Sequence, residues 1–325
     1  MRFNIMAVAQ GGRLEAEALL LAASLREAAP GFAGRLILAE PQPGPLWPAD
    51  PRLSEDGRSA LQALGAEIRP FDSRHFGAAY PYGNKIEGLA VLPAGEPFLF
   101  LDTDTLILGD IGAVPFDFDR PTASMRREGT WPVEQPYWPG YAGVWGSLYA
   151  RFGLDMEATL DRSQPEEYWE RFLYFNAGWF TGPDPAAFGE RFLRFALAIR
   201  EEPGDALACQ SLDPWLDQVA LPLVVASFGG GRPGPELAGM DGDVTCHYRS
   251  FPLLYARESD AAVAMLERLA RREPLAGLLR RHEPLRRMAQ EGEGARVRAL
   301  FDRRRLPRRE KDIRQRLKAA GYWLR

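Results

Sequence analysis

Apolar and polar positions along this chain recur with two periods, and the switches between them mark out strands and helices. Arg2 to Val8 reads as a first strand, and Arg13 to about Glu27 as an amphipathic helix. Arg35 to Ala39 is a second strand, followed by a loop carrying Pro41, Pro43, Pro45, Pro48 and Pro51. A short helix near Ser54 to Leu64 leads into a strand around Glu67 to Phe71, then a helix near Lys85 to Leu92. Pro97 to Leu101 is a central strand. Strands alternating with helical patterns predict βαβ units and a mainly parallel sheet.

The run Phe98-Leu99-Phe100-Leu101-Asp102-Thr103-Asp104-Thr105-Leu106-Ile107-Leu108 changes this picture most. Its continuous apolar approach fits a strand buried on both faces. Ligands of open α/β sheets bind at the carboxy ends of such strands. Side-chain alternation along the strand puts Asp102 and Asp104 on one side with Thr103 opposite. Two hard oxygen ligands aimed at one point suit Mg²⁺ or Mn²⁺ carrying a diphosphate. A plain turn, where Asp is common, is the competing reading.

Other segments carry weaker signals. Asn84-Lys85-Ile86-Glu87 reads as a helix start with Asn84 as N-cap and Glu87 as its capping-box partner. That places the cation of Lys85 in a first turn, which the helix dipole mildly disfavours, so an anionic partner and a solvent-facing lysine both fit. Residues 120–141 form a loop rich in proline and aromatics, including Trp131, Trp138 and Tyr141, which suits either sugar binding or plain surface packing. Arg171 to Thr181 is a strand candidate, and its Asn176, Ala177 and Gly178 interrupt bulky neighbours, as ligand contact or a β-bulge requires. Pro185 to Arg200 is an amphipathic helix. Asp217 and Gln218 open an apolar helical pattern, where a solvated first turn is the plain alternative. Gly229 to Gly242 reads as a flexible loop, and Val244 to Tyr248 as a short strand containing His247.

Composition narrows the class. The 325 residues suffice for one large α/β domain with an extension. No apolar run reaches membrane-spanning length, and residues 1–30 lack the features of a secretory signal. Cys209 and Cys246 make no disulfide framework, so the cytoplasm is the expected compartment. Three histidines argue against a His-rich zinc site. The net charge of −4 is uneven: residues 257–325 hold 20 Lys and Arg against 10 Asp and Glu, whereas the remainder holds 20 against 34. This basic helical tail, ending Gly321-Tyr322-Trp323-Leu324-Arg325, fits either peripheral contact with an anionic membrane or helices packed on the acidic body. No nucleic-acid partner is expected.

Order and spacing together resemble the retaining, GT-A-type glycosyltransferases of family eight. Lys85 stands 17 positions before the Asp-x-Asp strand, followed by Phe175-Asn176-Ala177-Gly178, then Asp217-Gln218, then His247. The resemblance covers about residues 1–255. It implies a GT-A-like, Rossmann-like catalytic domain over residues 1–256 and a basic helical C-terminal extension over residues 257–325. It further implies a nucleotide-sugar donor, a UDP-sugar foremost, and a carbohydrate, lipid or protein acceptor. Asp102, Asp104 and His247 would hold Mn²⁺ or Mg²⁺. Lys85, Thr103, Asn176, Ala177 and Gly178 would line the donor site, Asp217 would bind donor hydroxyls, and Gln218 would lie near the anomeric carbon. The late motif departs from the family pattern, reading His247-Tyr248-Arg249-Ser250-Phe251-Pro252-Leu253 without the family's Gly and Lys, and Arg249 stands as the substitute cation. The first strand ends Ala7-Val8-Ala9-Gln10, without the Asp-x-Asn that would meet the nucleoside.

Two rival classes share part of the pattern. A phosphohydrolase of the haloacid-dehalogenase type also opens with Asp-x-Asp, but has Thr or Val where Leu106 stands; Asp241-Gly242-Asp243 weakly imitates its later acidic motif. A sugar- or nucleotide-binding module without catalysis is the third reading.

Overall fold

A computed structural model describes residues 2–324. Its central sheet has the order β3-β2-β1-β4-β7-β6. The strands are β1 (Asn4–Val8), β2 (Leu36–Pro41), β3 (Ala66–Phe71), β4 (Phe98–Leu101), β6 (Ala123–Ser124) and β7 (Asn176–Gly182). β1 pairs in parallel with β2 and β4, and β2 with β3, whereas β7 runs antiparallel to both β4 and β6. A separate two-stranded ribbon joins β5 (Thr105–Ile107) to β8 (Thr245–His247).

The two-sided apolar run of β4 explains its central position. Leu99 and Leu101 enter one core cluster while Phe98 and Phe100 enter the other, on the opposite face. The first cluster takes in helix α1 (Arg13–Ala28) and the second α5 (Pro185–Glu201) and α6 (Leu216–Ser227). Side-chain alternation thus distributes one strand between two layers. Local caps fix the helices: Ser54 accepts from Gly57 N at the start of α2 (Glu55–Ala63), and Asp184 accepts from Ala186 and Ala187 N ahead of Pro185.

Several expectations from the pattern shift. β4 ends at Leu101, so Asp102 and Asp104 stand in the turn before β5, and strand alternation does not set their directions. Asn84 lies inside helix α3 (Asn84–Gly88), whose N-cap is Gly83, so the capping box does not form. The Asn84 amide instead donates to Gly77 O, and Glu87 accepts backbone N–H groups from Arg74, His75 and Phe76, tying the preceding loop down. Of the candidate strand Arg171–Thr181, only the part from Asn176 is extended; Trp169–Arg171 is a 3₁₀ turn. The pairing of β6 with β7 carries a register irregularity there, the bulge alternative. The glycine-rich 229–242 loop contains a 3₁₀ helix, Pro235–Asp241, with Leu237 and Met240 buried. Trp131 and Tyr141 of the aromatic loop are buried, so much of it is packing, although Tyr137 is fully exposed.

The basic tail is part of the fold. It contributes α8 (Asp260–Ala270), α9 (Leu275–Leu279), α10 (Glu283–Leu285), α11 (Glu293–Ala299) and α12 (Glu310–Ala319), after α7 (Phe251–Arg257). Leu266, Leu279, Met288, Val297, Ile313 and Leu317 are buried in the same cluster as α1 and β4. Part of its positive charge meets the acidic body: Arg268 and Arg272 pair with Glu27, and Arg281 with Asp56. Tyr322, Trp323 and Leu324 pack against the core, and Arg325 lies outside the described residues. No helix of the described residues is long and apolar enough to cross a membrane.

Candidate active site

The strand order reverses beside β1, with β2 on one side and β4 on the other, so the chain ends of β1 and β4 open a crevice. A cleft of about 860 Å³ lies there, lined by residues of the body and of the tail.

The β5–β8 ribbon explains how distant sequence positions meet. Thr105 stands opposite His247 in the antiparallel register, and Asp104 O accepts from Tyr248 N at 2.9 Å. The imidazole is thereby carried to the Asp-x-Asp turn. His247 Nε2 lies 3.1 Å from Asp104 Oδ1 and 3.9 Å from Asp102 Oδ2. One ligand atom from each of Asp102, Asp104 and His247 falls within 4.8 Å of the other two. Two carboxylates and one imidazole at this spacing form a donor set that fits a hard divalent ion such as Mn²⁺ or Mg²⁺. Burial would raise the pKa of Asp104, but His247, aided by Arg13 and Lys85, holds it below the ordinary value.

Gly178 makes this geometry possible. A Cβ at that position would stand 2.2 Å from His247 Nδ1, so only glycine leaves room for the ring. Asn176 Oδ1 accepts from Gly178 N at 2.8 Å and shapes the same backbone turn, and Asp102 N donates to Gly178 O. Asn176 and Ala177 line the cleft, whereas the contact of Gly178 is with the histidine.

Lys85 is 5% exposed, a buried cation held between two carboxylates. Its ammonium lies 3.0 Å from Asp102 Oδ1 and 3.4 Å from Asp217 Oδ2, and donates to Ala177 O at 3.0 Å. Burial works to lower its pKa, but the two aspartates outweigh that and raise it, so the ammonium persists. The misfit with the helix dipole thus resolves onto acids of the protein itself. Asp217 is buried rather than solvated. Burial raises its pKa, against the pull of Lys85 and of a hydrogen bond from Tyr80. Tyr80 donates to Asp217 Oδ1 at 2.8 Å and accepts from Asp217 N at 3.0 Å. Gln218 Oε1 accepts from the Tyr174 hydroxyl at 3.1 Å, and among the described residues the amide nitrogen of this cleft-lining side chain has no protein partner.

Two of the expected donor residues have partners within the protein. Thr103 is buried and does not line the cleft; its hydroxyl donates to Glu17 Oε2 at 3.1 Å. Arg249 lines the cleft in a left-handed conformation with φ 63°, and its guanidinium donates to Glu310 Oε2 at 3.1 Å. The tail therefore supplies the carboxylate that meets this cation. Glu17, on α1, is the unexpected member of the site. Burial and the charge of Asp104 push its carboxyl up to about 8, against the pull of Arg13 2.8 Å away. Sequence gave little sign of Glu17 or Tyr80, since an acidic residue in a helix and a tyrosine in a loop are ordinary features.

A Rossmann-like mixed sheet, with two aspartates and a histidine converging at its crevice, is an architecture of the GT-A type. The chain belongs to the Rhodobacterales glycosyltransferase domain family, whose model matches residues 5–229. Among solved structures, it is similar to the bifunctional glycosyltransferase WbbM, at 14% identity and a TM-score of 0.50. That likeness covers 86% of this chain and 51% of WbbM and concerns the fold. A second similar structure is the galactosyltransferase LgtC in complex with donor and acceptor sugar analogues, at 16% identity and a TM-score of 0.40, covering 70% of this chain and 72% of LgtC. No curated protein sequence matches the chain.

Proposed function

We propose that this glycosyltransferase takes its sugar from a nucleotide-diphosphate donor, a UDP-sugar foremost, with a divalent cation at Asp102, Asp104 and His247. The observation that carries the reading is the convergence of those three side chains at the crevice, beside the buried Lys85–Asp217–Tyr80 group. Mn²⁺ or Mg²⁺ bound there would supply Lewis-acid stabilisation of the charge gathering on the departing diphosphate.

The remaining steps belong to the chain. Lys85 and Tyr80 hold Asp217 in one orientation from opposite sides, which makes it a fixed acceptor for donor sugar hydroxyls. Both Asp217 oxygens are already engaged by protein donors, an arrangement that suits positioning better than nucleophilic attack. Gln218, anchored through its oxygen by Tyr174, can present its free amide nitrogen to the sugar. Arg13 and Arg249 line the cleft and add positive charge. We propose retention of anomeric configuration, on the motif resemblance. The acceptor is a carbohydrate in this reading, because the exposed rings of Tyr82 and Trp215 border the cleft. Family membership sets the phosphohydrolase alternative aside.

The test is incubation with Mn²⁺ and a panel of nucleotide sugars, reading released nucleoside diphosphate and the anomeric configuration of product. Metal-dependent release that is lost in Asp104→Ala supports the reading. Donor binding without turnover would identify a sugar-nucleotide-binding module instead, and turnover unaffected by chelator would remove the metal.

A further inference from the structure

Arg127 follows β6 and lines the cleft, yet it lacks the partners that satisfy its neighbours. Its Nη1 is buried and makes no hydrogen bond, and no carboxylate lies within ion-pairing distance of the guanidinium among the described residues. The adjacent Arg126 and Arg249 are paired with Glu258 and with Glu310. The nearby Arg232 donates to the carbonyls of Thr159, Glu170 and Arg171. Arg127 instead stacks on aromatic rings, with its guanidinium carbon 4.6 Å from the Trp169 centroid and 6.0 Å from that of Tyr174. Burial, then Arg232, depress its pKa to about 10, partly opposed by Glu170. An unpartnered N–H and an uncompensated charge in a cleft wall are costly unless a ligand completes them.

Its position decides which ligand. The groups that shift Arg127 are Arg232, Glu170 and Tyr174, not the aspartates or Lys85 of the metal end. Tyr174, beneath the guanidinium, is the residue that hydrogen-bonds Gln218. Arg127 therefore lies on the Gln218 side of the cleft, where the reacting sugar meets its acceptor in the reading above. The metal end already has the three-ligand cluster and a cation of its own, Arg13, whose charge acts on Asp104. A planar guanidinium pinned on an indole face suits bidentate recognition of a carboxylate or phosphate.

We propose that Arg127 is a specificity-determining residue for an acidic acceptor, a sugar bearing a carboxylate or a phosphate ester; this rests on the glycosyl-transfer reading of the cleft. Trp215 and Tyr82 offer exposed aromatic faces to the ring, and Arg127 receives the anionic substituent.

The test compares three probes on the full-length protein with Mn²⁺: methyl glucoside, methyl glucuronide and methyl glucoside 6-phosphate. Ligand-observed NMR titrations give each dissociation constant for wild type, Arg127→Met and Arg127→Lys. One acid is expected to bind about tenfold or more tighter than the neutral glycoside, the size of one charge-assisted hydrogen bond. The ratio falls towards one in Arg127→Met and partway in Arg127→Lys, and the better acid identifies carboxylate or phosphate as the group recognised. Equal binding by all three probes, binding by neither acid, or a preference that survives in Arg127→Met overturns the proposal. So does an Arg127-dependent preference confined to the donor, read as UDP-glucuronate over UDP-glucose. Thermal melting checks the fold, and if Arg127→Met does not fold, Arg127→Gln carries the same comparison. Nucleoside diphosphate release is measured separately, so a failed donor reading shows itself apart from a failed acid preference.

Discussion

Single side chains, more than whole elements, give this site its shape, and Gly178 is the sharpest case. Because a Cβ there would stand 2.2 Å from His247 Nδ1, Gly178→Ala must push the imidazole away from Asp104. The backbone itself tolerates alanine, since Gly178 is not among the glycines with positive φ. The expected outcome is a Mn²⁺ affinity lowered by about 10–100-fold, the scale seen when a ligand's orientation is disturbed. Calorimetric titration of Mn²⁺ reads it, and unchanged affinity would show that the ring does not serve as a ligand. Tyr80 acts on Asp217 in a comparable way. Tyr80→Phe removes a donor from a buried carboxylate, at a cost of about 1–3 kcal/mol. Thermal melting should show that loss, and donor turnover should fall with it as Asp217 gains freedom. A variant as stable and as active as the parent would deny Tyr80 its positioning role.

At the scale of elements, how much was legible in the sequence follows from whether the signal was local. The strands β1 to β4 and the helices between them were readable because each carries its own apolar period and turn residues. Asp102 and Asp104 were readable as a pair, although the strand ends before them and the β5–β8 ribbon is what aims them at His247. That ribbon joins residues more than 130 positions apart, so no local period announces it. Glu17 was illegible for a related reason. Its meaning comes from α1 packing along β5 and the acidic turn, where Thr103 and Arg13 hold its carboxyl. Burial and Asp104 raise that carboxyl to about 8, so the native protein keeps a proton that the unfolded chain releases near 4.5. The associated stability is complete below 4.5 and is lost as pH rises through about 8. In chelator, stability should therefore decline over this window by at most ~1.4 kcal/mol per pH unit, one proton's worth. Denaturant unfolding at a series of pH values measures the slope, and Glu17→Gln should flatten it. An equal slope in the variant would assign the effect to another group.

For the molecule as a whole, the acidic body and basic tail identified from charge alone prove complementary, since the tail closes one wall of the cleft. Its attachment is both apolar and ionic. Ile313 and Leu317 of α12 are buried in the shared core, and Glu310 at the start of that helix is buried among Arg249, Arg257 and Arg314. Burial alone would raise the Glu310 carboxyl, but the three guanidiniums hold it below its ordinary value of 4.5. A depressed carboxylate contributes stability that is present above 4.5 and lost as pH falls through its lower native value. Glu310→Gln keeps the side chain's shape and removes its charge at neutral pH, leaving Arg249 and Arg257 to Glu128 and Glu258. Because two of the three arginines keep a carboxylate and only Arg314 loses its ion pair among the described residues, the expected loss is about 1–3 kcal/mol rather than that of a fully orphaned pair. The parent should therefore melt higher than Glu310→Gln at pH 7, and the gap should close as pH drops below 4.5. Leu317→Ala, which opens a cavity at the same attachment, should cost about 2–5 kcal/mol with no comparable pH dependence. Melting both variants across the acid range separates the ionic from the apolar attachment. A gap for Glu310→Gln that stayed constant down to pH 3 would mean that the carboxylate is not what the three arginines hold.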